Sequence, residues 1–147
     1  MGDELRRALD FAVAKEKEAE AFYKEWAGRA KDPTVKGLLA ELAATERGHM
    51  EILSRVRPDE MVAKGEEKIA DLTLSDLLVE VKASAGMSLQ QAMVVAMKRE
   101  EASVALYERL AKLGGETQSL FRALANEERK HKVRLETEYD ERILTDN

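Results

Sequence analysis

The chain has 147 residues, with 24 basic and 29 acidic side chains, a formal net charge of −5 and no cysteine. This length is enough for one domain with its own hydrophobic core, and the acidic balance argues against a nucleic-acid partner bound through its phosphates. The lack of cysteine excludes disulfides, thiolate metal sites and cysteine nucleophiles, so any metal must be held by carboxylate and imidazole groups.

The first predicted helix runs from Asp3 to about Ala30. Apolar side chains recur along it at intervals of three and four residues, which is the spacing of one helix face. Glu16 and Tyr23 lie on the same stripe, seven residues or about two turns apart, and so point the same way one above the other. The predicted core face of this helix therefore carries a carboxylate.

A second helix is predicted after a short break. Asp32 followed by Pro33 is typical of an N-cap and the first turn of a helix. Pro58 lacks a backbone N–H and ends the pattern, so the helix is expected to reach about Arg57. The first two helices thus form a hairpin over about residues 3–57.

Residues 58–87 are predicted to form a long crossover. The segment is polar and broken by glycine, but Leu72–Val81 can form a short helix capped near Thr73 or Ser75. A connector of this length can carry the chain back along a bundle, which a tight turn cannot do.

A second hairpin is predicted over about residues 88–143. Its first helix starts near Ser88 and continues until Gly114 and Gly115 stop it. Its second helix covers about residues 116–143. The expected fold is all-α, a four-helix bundle of two helical hairpins joined by a long crossover.

The two hairpins repeat one another. Both histidines of the chain, His49 and His131, have a glutamate three residues earlier, Glu46 and Glu128. On a helix each pair projects from adjacent turns of one face and makes a two-ligand metal half-site. The duplication predicts a bundle with a pseudo-twofold axis and one half-site on each side of it.

Folding the halves together brings four carboxylates and two imidazoles toward the middle of the bundle. Unpartnered carboxylates in an apolar core are costly or are forced neutral by a shifted pKa. Two divalent cations would balance the four carboxylates, and two neutral imidazoles would complete the cage. The predicted metal ligands are Glu16, Glu46, His49, Glu100, Glu128 and His131, and the hydroxyls of Tyr23 and Tyr107 are predicted to orient ligand carboxylates.

Other assignments stay open in the sequence. The two tyrosines could be ordinary core aromatics with a hydrated hydroxyl. Four neighbouring glutamates could replace the chosen ligands, namely Glu18, Glu20, Glu101 and Glu127. We prefer Glu16 and Glu100 because they share the register of the two tyrosines.

Four segments, one in each predicted helix, carry a resemblance to a known family. They are EKEAEAFY (16–23), TERGH (45–49), EEASVALY (100–107) and EERKH (127–131). Together they resemble the ferritin-like superfamily and, within it, the rubrerythrin-like di-iron carboxylate proteins. The resemblance implies that Glu16 and His49 are terminal ligands of one iron, that Glu100 and His131 are terminal ligands of the other, and that Glu46 and Glu128 bridge them.

The chain departs from the rubrerythrin pattern in two ways. Full-length rubrerythrins carry a cysteine-ligated rubredoxin module, whereas this chain has no cysteine, so we expect a separate electron-donor protein. Many rubrerythrins also have an additional Glu one turn after the third-helix ligand, and Ser103 stands at that position here. The predicted centre is therefore the more symmetric kind with four Glu and two His.

The resemblance implies a di-iron oxidoreductase that reacts with hydrogen peroxide or O2, in oxidative-stress defence or iron handling. Glu46, Glu128, Tyr23 and Tyr107 would lie at the reacting centre, and manganese or a mixed metal pair could replace the two irons. One alternative is a ferroxidase or iron-sequestering ferritin-like protein. Another is a helical module that binds metal without catalysis.

The expected setting is cytoplasmic, with no membrane contact. The longest unbroken apolar run, residues 92–97, is far too short to span a bilayer. We expect a homodimer or a higher homo-oligomer. The sequence leaves open whether the crossover closes within one chain or swaps between two.

Overall fold

The computed structural model describes residues 2–63 and 86–143, and these residues are almost entirely helical. The first two long helices pack against each other, as do the last two, so the predicted all-α fold of two hairpins is confirmed. No helix in the described ranges is long and apolar enough to cross a membrane. The long helices are α1 (Gly2–Arg29), α2 (Pro33–Leu53), α3 (Leu89–Ala111) and α4 (Gln118–Glu138).

Side-chain caps start two of the helices where the sequence predicted. The carboxylate of Asp32 accepts a hydrogen bond from the backbone N–H of Thr34 at 2.8 Å, which satisfies a donor of the first turn of α2. At the start of α3, Ser88 and Gln91 bond to each other's backbone N–H in a capping box.

The predicted end of α2 was wrong by four residues. The helix stops at Leu53 rather than near Arg57, because the chain tightens to 3₁₀-type bonds such as that from Val56 N–H to Leu53 O. Arg57 is then extended, as expected for a residue that precedes proline. Pro58 opens a single 3₁₀ turn, Pro58–Glu60, that begins the crossover.

The end of α4 also differs from the prediction. The α-helix ends at Glu138, and the chain continues as one π-helical turn over Tyr139–Ile143. The hydroxyl of Tyr139 accepts a hydrogen bond from Gln90 at 3.1 Å, which ties this turn to α3. The predicted short helix at Leu72–Val81 lies outside the described residues.

The start of the crossover is bonded to the turn between α3 and α4. Ala63 N–H donates to the carbonyl of Leu113 at 3.1 Å, and Thr117 N–H donates to the carbonyl of Glu60 at 3.1 Å. Gly114 has φ of +72°, a conformation that L side chains rarely adopt. A Cβ atom at Gly115 would overlap the carbonyl oxygen of Glu60, so only glycine lets the two segments approach this closely.

We expect Gly115→Ala to lower the free energy of unfolding by about 1–3 kcal/mol, because the backbone of the crossover would have to move away. The matched control is Gly37→Ala on an exposed face of α2, where an added Cβ meets nothing within 4 Å. That variant should be as stable as wild type or more stable by up to about 1 kcal/mol. Urea unfolding of both proteins measures the difference, and equal midpoints would contradict the close approach.

The hydrophobic core is divided into two halves along the bundle. One half joins the start of α1 to the end of α3 and includes Leu9, Leu110 and Phe121. The other half lies toward the opposite end and includes Trp26 and Leu39. Between these two halves lies a layer of buried polar side chains.

Candidate metal centre

The buried polar layer consists of the six side chains that the sequence singled out. Their exposed fractions lie between 1 and 6%. Each comes from the inward face of a different turn of the four helices, with α1 and α3 supplying one carboxylate each and α2 and α4 supplying a Glu-x-x-His pair each. The six are Glu16, Glu46, His49, Glu100, Glu128 and His131.

The six side chains form two overlapping clusters whose candidate ligand atoms lie within 4.8 Å of one another. One cluster, called here the His49 cluster, contains Glu16, Glu46, His49 and Glu128. The other, the His131 cluster, contains Glu46, Glu100, Glu128 and His131. Glu46 and Glu128 belong to both clusters, so the geometry agrees with their expected position between two cations.

In the His49 cluster the imidazole turns its Nδ1 atom inward. This nitrogen lies 3.2 Å from Glu128 Oε1, 3.6 Å from Glu16 Oε2 and 4.0 Å from Glu46 Oε2. Ligand atoms bonded at about 2.0–2.2 Å to one cation lie about 3–4 Å apart. The spacing therefore fits a shared divalent cation.

The His131 cluster has the same arrangement. His131 Nδ1 lies 3.0 Å from Glu46 Oε1, 3.3 Å from Glu128 Oε1 and 3.6 Å from Glu100 Oε2. Glu46 thus directs one carboxylate oxygen toward each histidine. The two imidazole rings are nearly parallel, with centroids 6.1 Å apart.

Most of the buried side-chain atoms without a hydrogen-bond partner in the described part of the chain belong to the centre. Within residues 2–63 and 86–143, ten buried side-chain nitrogen or oxygen atoms lack a hydrogen-bond partner, and seven of these belong to the six candidate ligands. Leaving so many buried acceptors unpaired would be costly, and cations coordinated by these atoms would remove that cost. The residues present therefore fit a pair of metal ions.

Both predicted tyrosines reach the centre, and each crosses to the other hairpin. Tyr23 of α1 donates its hydroxyl hydrogen to Glu100 Oε1 of α3 at 2.6 Å. Tyr107 of α3 donates in the same way to Glu16 Oε1 of α1. Each bond leaves the second oxygen of the carboxylate facing the histidine of its cluster. This crossed pairing orients the carboxylates from α1 and α3.

The family model for rubrerythrin matches residues 7–139. This match covers all four long helices and both clusters. The chain belongs to the rubrerythrin family. Neither the comparison with curated proteins nor the comparison with solved structures found a match.

In this rubrerythrin-family domain the glutamates next to the candidate ligands turn away from the clusters. The side chains of Glu18 and Glu101 are 56% and 71% exposed and pair with lysines. Glu20 is held between Lys24 and Arg47. The structure thus places these three glutamates outside the two clusters, which contain Glu16 and Glu100.

Glu127 has a contact that the sequence did not reveal. Its carboxylate bonds to the outward Nε2 atom of His49. The sequence contains no signal for this pairing, because the two residues are 78 positions apart and come from facing helices.

When no cation is bound, the carboxylates of the centre raise the pKa of both imidazoles. Burial lowers the pKa of His49, but the facing carboxylates of Glu128 and Glu16 outweigh burial and raise it to about 11. Burial likewise lowers the pKa of His131, and Glu100 and Glu128 raise it to about 9. Both imidazoles of the metal-free rubrerythrin domain should therefore be charged at neutral pH.

Three carboxylates of the centre have pKa values shifted in different directions. Burial and repulsion by Glu128 raise the pKa of Glu100 to about 8. Burial, contact with Glu16 and repulsion by Glu128 raise the pKa of Glu46 well above its ordinary value. Burial also acts against ionisation of Glu128, but the two histidines overcome it and lower the pKa of Glu128 to about 2. The environment thus favours the ionised form of the shared carboxylate on α4 and disfavours the ionised form of the shared carboxylate on α2.

A small cavity between α1 and α3 reaches the centre. Its volume is about 30 Å³, and a water molecule needs roughly 10–15 Å³ of such space. Its inner end is formed by carboxylates of both clusters, and its outer end by charged side chains that include the exposed Glu18. Ser103, at the position where many rubrerythrins have an additional Glu, forms part of the wall.

Proposed function

We propose that this rubrerythrin-family protein is a di-iron oxidoreductase that reduces hydrogen peroxide. The observation that carries the proposal is the cavity, which leads to three carboxylates of the clusters and is large enough for only two or three molecules of the size of water. A substrate of this size and polarity is a small oxidant rather than an organic molecule.

Two bound Fe(II) ions would supply one electron each, so that H2O2 + 2H⁺ + 2e⁻ gives two molecules of water. The electrons for the next turnover come from a donor outside these 147 residues, because the sequence contains no cysteine that could hold an iron-sulfur centre. The chain supplies the positions of the ions and of the oxidant.

The wall of the cavity suits a small polar oxidant. Phe11, Ala19 and Leu106 provide apolar surface that limits the amount of water beside the carboxylates. The Ser103 hydroxyl can donate a hydrogen bond to a molecule in this space and accept one from it. Lys15 and Arg99 place two positive charges near the outer end.

The hydrogen bonds from the tyrosines fix the carboxylates that hold each ion. Because Tyr23 and Tyr107 are held against Glu100 and Glu16, these two carboxylates keep one oxygen each directed into a cluster. Burial and the neighbouring carboxylates raise the pKa of both tyrosines well above the ordinary value, so both hydroxyls keep the proton that they donate.

The proposal is tested by loading the protein anaerobically with two Fe(II) per chain and mixing it with either H2O2 or O2 in a stopped-flow spectrometer. We expect H2O2 to oxidise the iron much faster than O2 does, with one peroxide consumed per two irons. A ferroxidase for storage would instead oxidise iron with O2 and retain iron added beyond two per chain. Peroxide consumption no faster than that of free iron would overturn the proposal.

Enlarging Ser103 should slow the reaction without removing the metal. In Ser103→Leu the longer side chain would occupy part of the cavity, and we expect the second-order rate constant with H2O2 to fall by about tenfold or more, which corresponds to ~1.4 kcal/mol. The matched variant Ser103→Ala keeps the space and loses only the hydroxyl. Stopped-flow rates and iron content measure both, and an unchanged rate in Ser103→Leu would show that peroxide arrives by another route.

A further inference from the structure

The two histidines of the centre differ in the contacts of their outward Nε2 atoms. His49 turns Nδ1 toward the carboxylates of its cluster, and its Nε2 atom bonds to the carboxylate of Glu127 on α4. The imidazole of His49 is 3% exposed, whereas the side chain of Glu127 is 51% exposed. A half-exposed carboxylate thus bonds to the outward side of a buried candidate ligand.

The other histidine has no such support. All polar contacts of His131 within residues 2–63 and 86–143 are made by its Nδ1 atom. His49 and His131 lie 82 positions apart in the repeat, so the position that corresponds to Glu127 is Thr45. The Thr45 hydroxyl donates instead to the backbone carbonyl of Glu41 at 3.1 Å. The repeat therefore breaks at this pair of residues.

Glu127 changes how His49 can act as a ligand. When Nδ1 coordinates a cation, the imidazole proton is on Nε2, and a carboxylate that accepts it fixes the tautomer and the orientation of the ring. The negative charge of Glu127 also makes Nδ1 a better electron donor to the cation. No carboxylate of the described residues accepts a hydrogen bond from Nε2 of His131, and Glu41 acts on this imidazole only through its charge. The inward contacts of His131 with Glu46 and Glu100, at 3.0 and 3.6 Å, are close to those of His49 with Glu128 and Glu16, at 3.2 and 3.6 Å.

We propose that Glu127 is a positioning residue that makes the His49 cluster the tighter of the two metal sites, so that the first cation binds there. The inference rests on the proposed dinuclear centre. The two ions would then be inequivalent even though their six ligands are of the same kinds.

The test is an anaerobic titration of the metal-depleted full chain with Co(II), followed by its visible ligand-field absorption. Wild type should bind two Co(II) in successive steps with distinct spectra. Glu127→Ala should weaken the first step by about 10–100-fold and leave the second unchanged, so that the two steps merge. Glu127→Gln keeps a hydrogen-bond acceptor without the charge, so the affinity of its first step should lie between those of wild type and Glu127→Ala. Glu101→Ala serves as the control at an exposed glutamate.

Variants that lack one of the two histidines show which cluster is weakened by the loss of Glu127. In His131→Ala, which keeps the complete His49 cluster, adding Glu127→Ala should weaken Co(II) binding by the same factor and shift the spectrum. In His49→Ala, adding Glu127→Ala should change nothing, because the partner of Glu127 is gone. The converse variant Thr45→Glu places a carboxylate at the repeat position and should tighten the second step of the otherwise wild-type chain.

The outcomes separate this inference from the proposed function. Two equal steps in wild type, or an equal effect of Glu127→Ala in both backgrounds, would overturn the asymmetry and leave the dinuclear centre in place. If wild type bound no Co(II), Fe(II) or Mn(II), the proposed function and the inference would both be wrong.

Discussion

Glu46→Gln should lose both metal ions and the peroxide reaction while the chain stays folded. Glu46 belongs to both clusters and directs one oxygen toward each histidine, at 4.0 Å from His49 Nδ1 and 3.0 Å from His131 Nδ1. Glutamine keeps the shape of the side chain but cannot supply the negative charge. We expect the affinity for each cation to fall by at least about 100-fold, more than for a residue that acts through a ligand.

The metal-free Glu46→Gln protein should be about as stable as metal-free wild type. Burial and the neighbouring carboxylates raise the pKa of Glu46 well above its ordinary value and so disfavour its charged form when no metal is bound. A neutral amide in its place should therefore cost the metal-free fold little. Glu101→Gln is the matched control, because its carboxylate is 71% exposed and lies outside both clusters. Iron content per chain and melting temperature measure the two effects, and wild-type iron content in Glu46→Gln would refute the assignment.

The second large effect is the pH dependence of stability, which should differ between the metal-free and metal-loaded chains. In the metal-free chain, Glu100 has a folded pKa of about 8 against an ordinary 4.5, and His131 has about 9 against 6.5. His49, with a folded pKa of about 11 against an ordinary 6.5, adds to this effect. The folded state therefore holds more protons than the unfolded state from about pH 4.5 to 11, and the free energy of unfolding falls as pH rises through this window. Glu128, with a pKa of about 2, has the opposite effect, but only below about pH 4.5.

Bound metal ions should offset the fall in the free energy of unfolding at higher pH. Cations and protons compete for the same atoms, so metal binding strengthens as pH rises. At a free metal concentration of a thousand times Kd, the cation at each site should add about 4 kcal/mol to the free energy of unfolding. For a chain of this size, that raises the melting temperature by about 10 °C per site. Mn(II) or Co(II) avoids oxidation during the scans.

The measurement is the melting temperature with metal and with chelator at several values between pH 5 and 8. The gap between the two curves should widen with pH. In weakly buffered solution at pH 7, binding of two cations should also release about three protons, from His49, His131 and Glu100. Equal melting temperatures with and without metal at pH 8 would favour a helical module whose polar core holds no ion.

The fold was predictable because its signals are local and repeated. Apolar residues at helical spacing, the Asp32–Pro33 start and the glycines at 114–115 each act within a few residues. The six candidate ligands were predictable for a related reason. Each is polar at a position where the helix must face the core, and a buried charge needs an explanation.

The features that the sequence did not predict depend on distances between helices. Both tyrosines share the register of a glutamate on their own helix, but the hydroxyl of each bonds to the glutamate of the other hairpin. Glu127 is next to Glu128 in sequence, and only the packing of α4 against α2 brings its carboxylate to His49. The early end of α2 arises from bonds in the turn that follows Leu53, for which residue spacing gives no signal.

The crossed tyrosine bonds also determine how α1 and α3 can move relative to each other. Each tyrosine lies seven residues after its own glutamate, about 10 Å along the axis, so the two bonds hold antiparallel helices at two separate points. A slide of one hairpin against the other by one helical turn would break both bonds and carry Glu16 and Glu100 away from Glu128 and Glu46 of the opposite hairpin. The two tyrosine bonds thus oppose axial sliding of the hairpins, and they do so through carboxylates of the candidate metal centre.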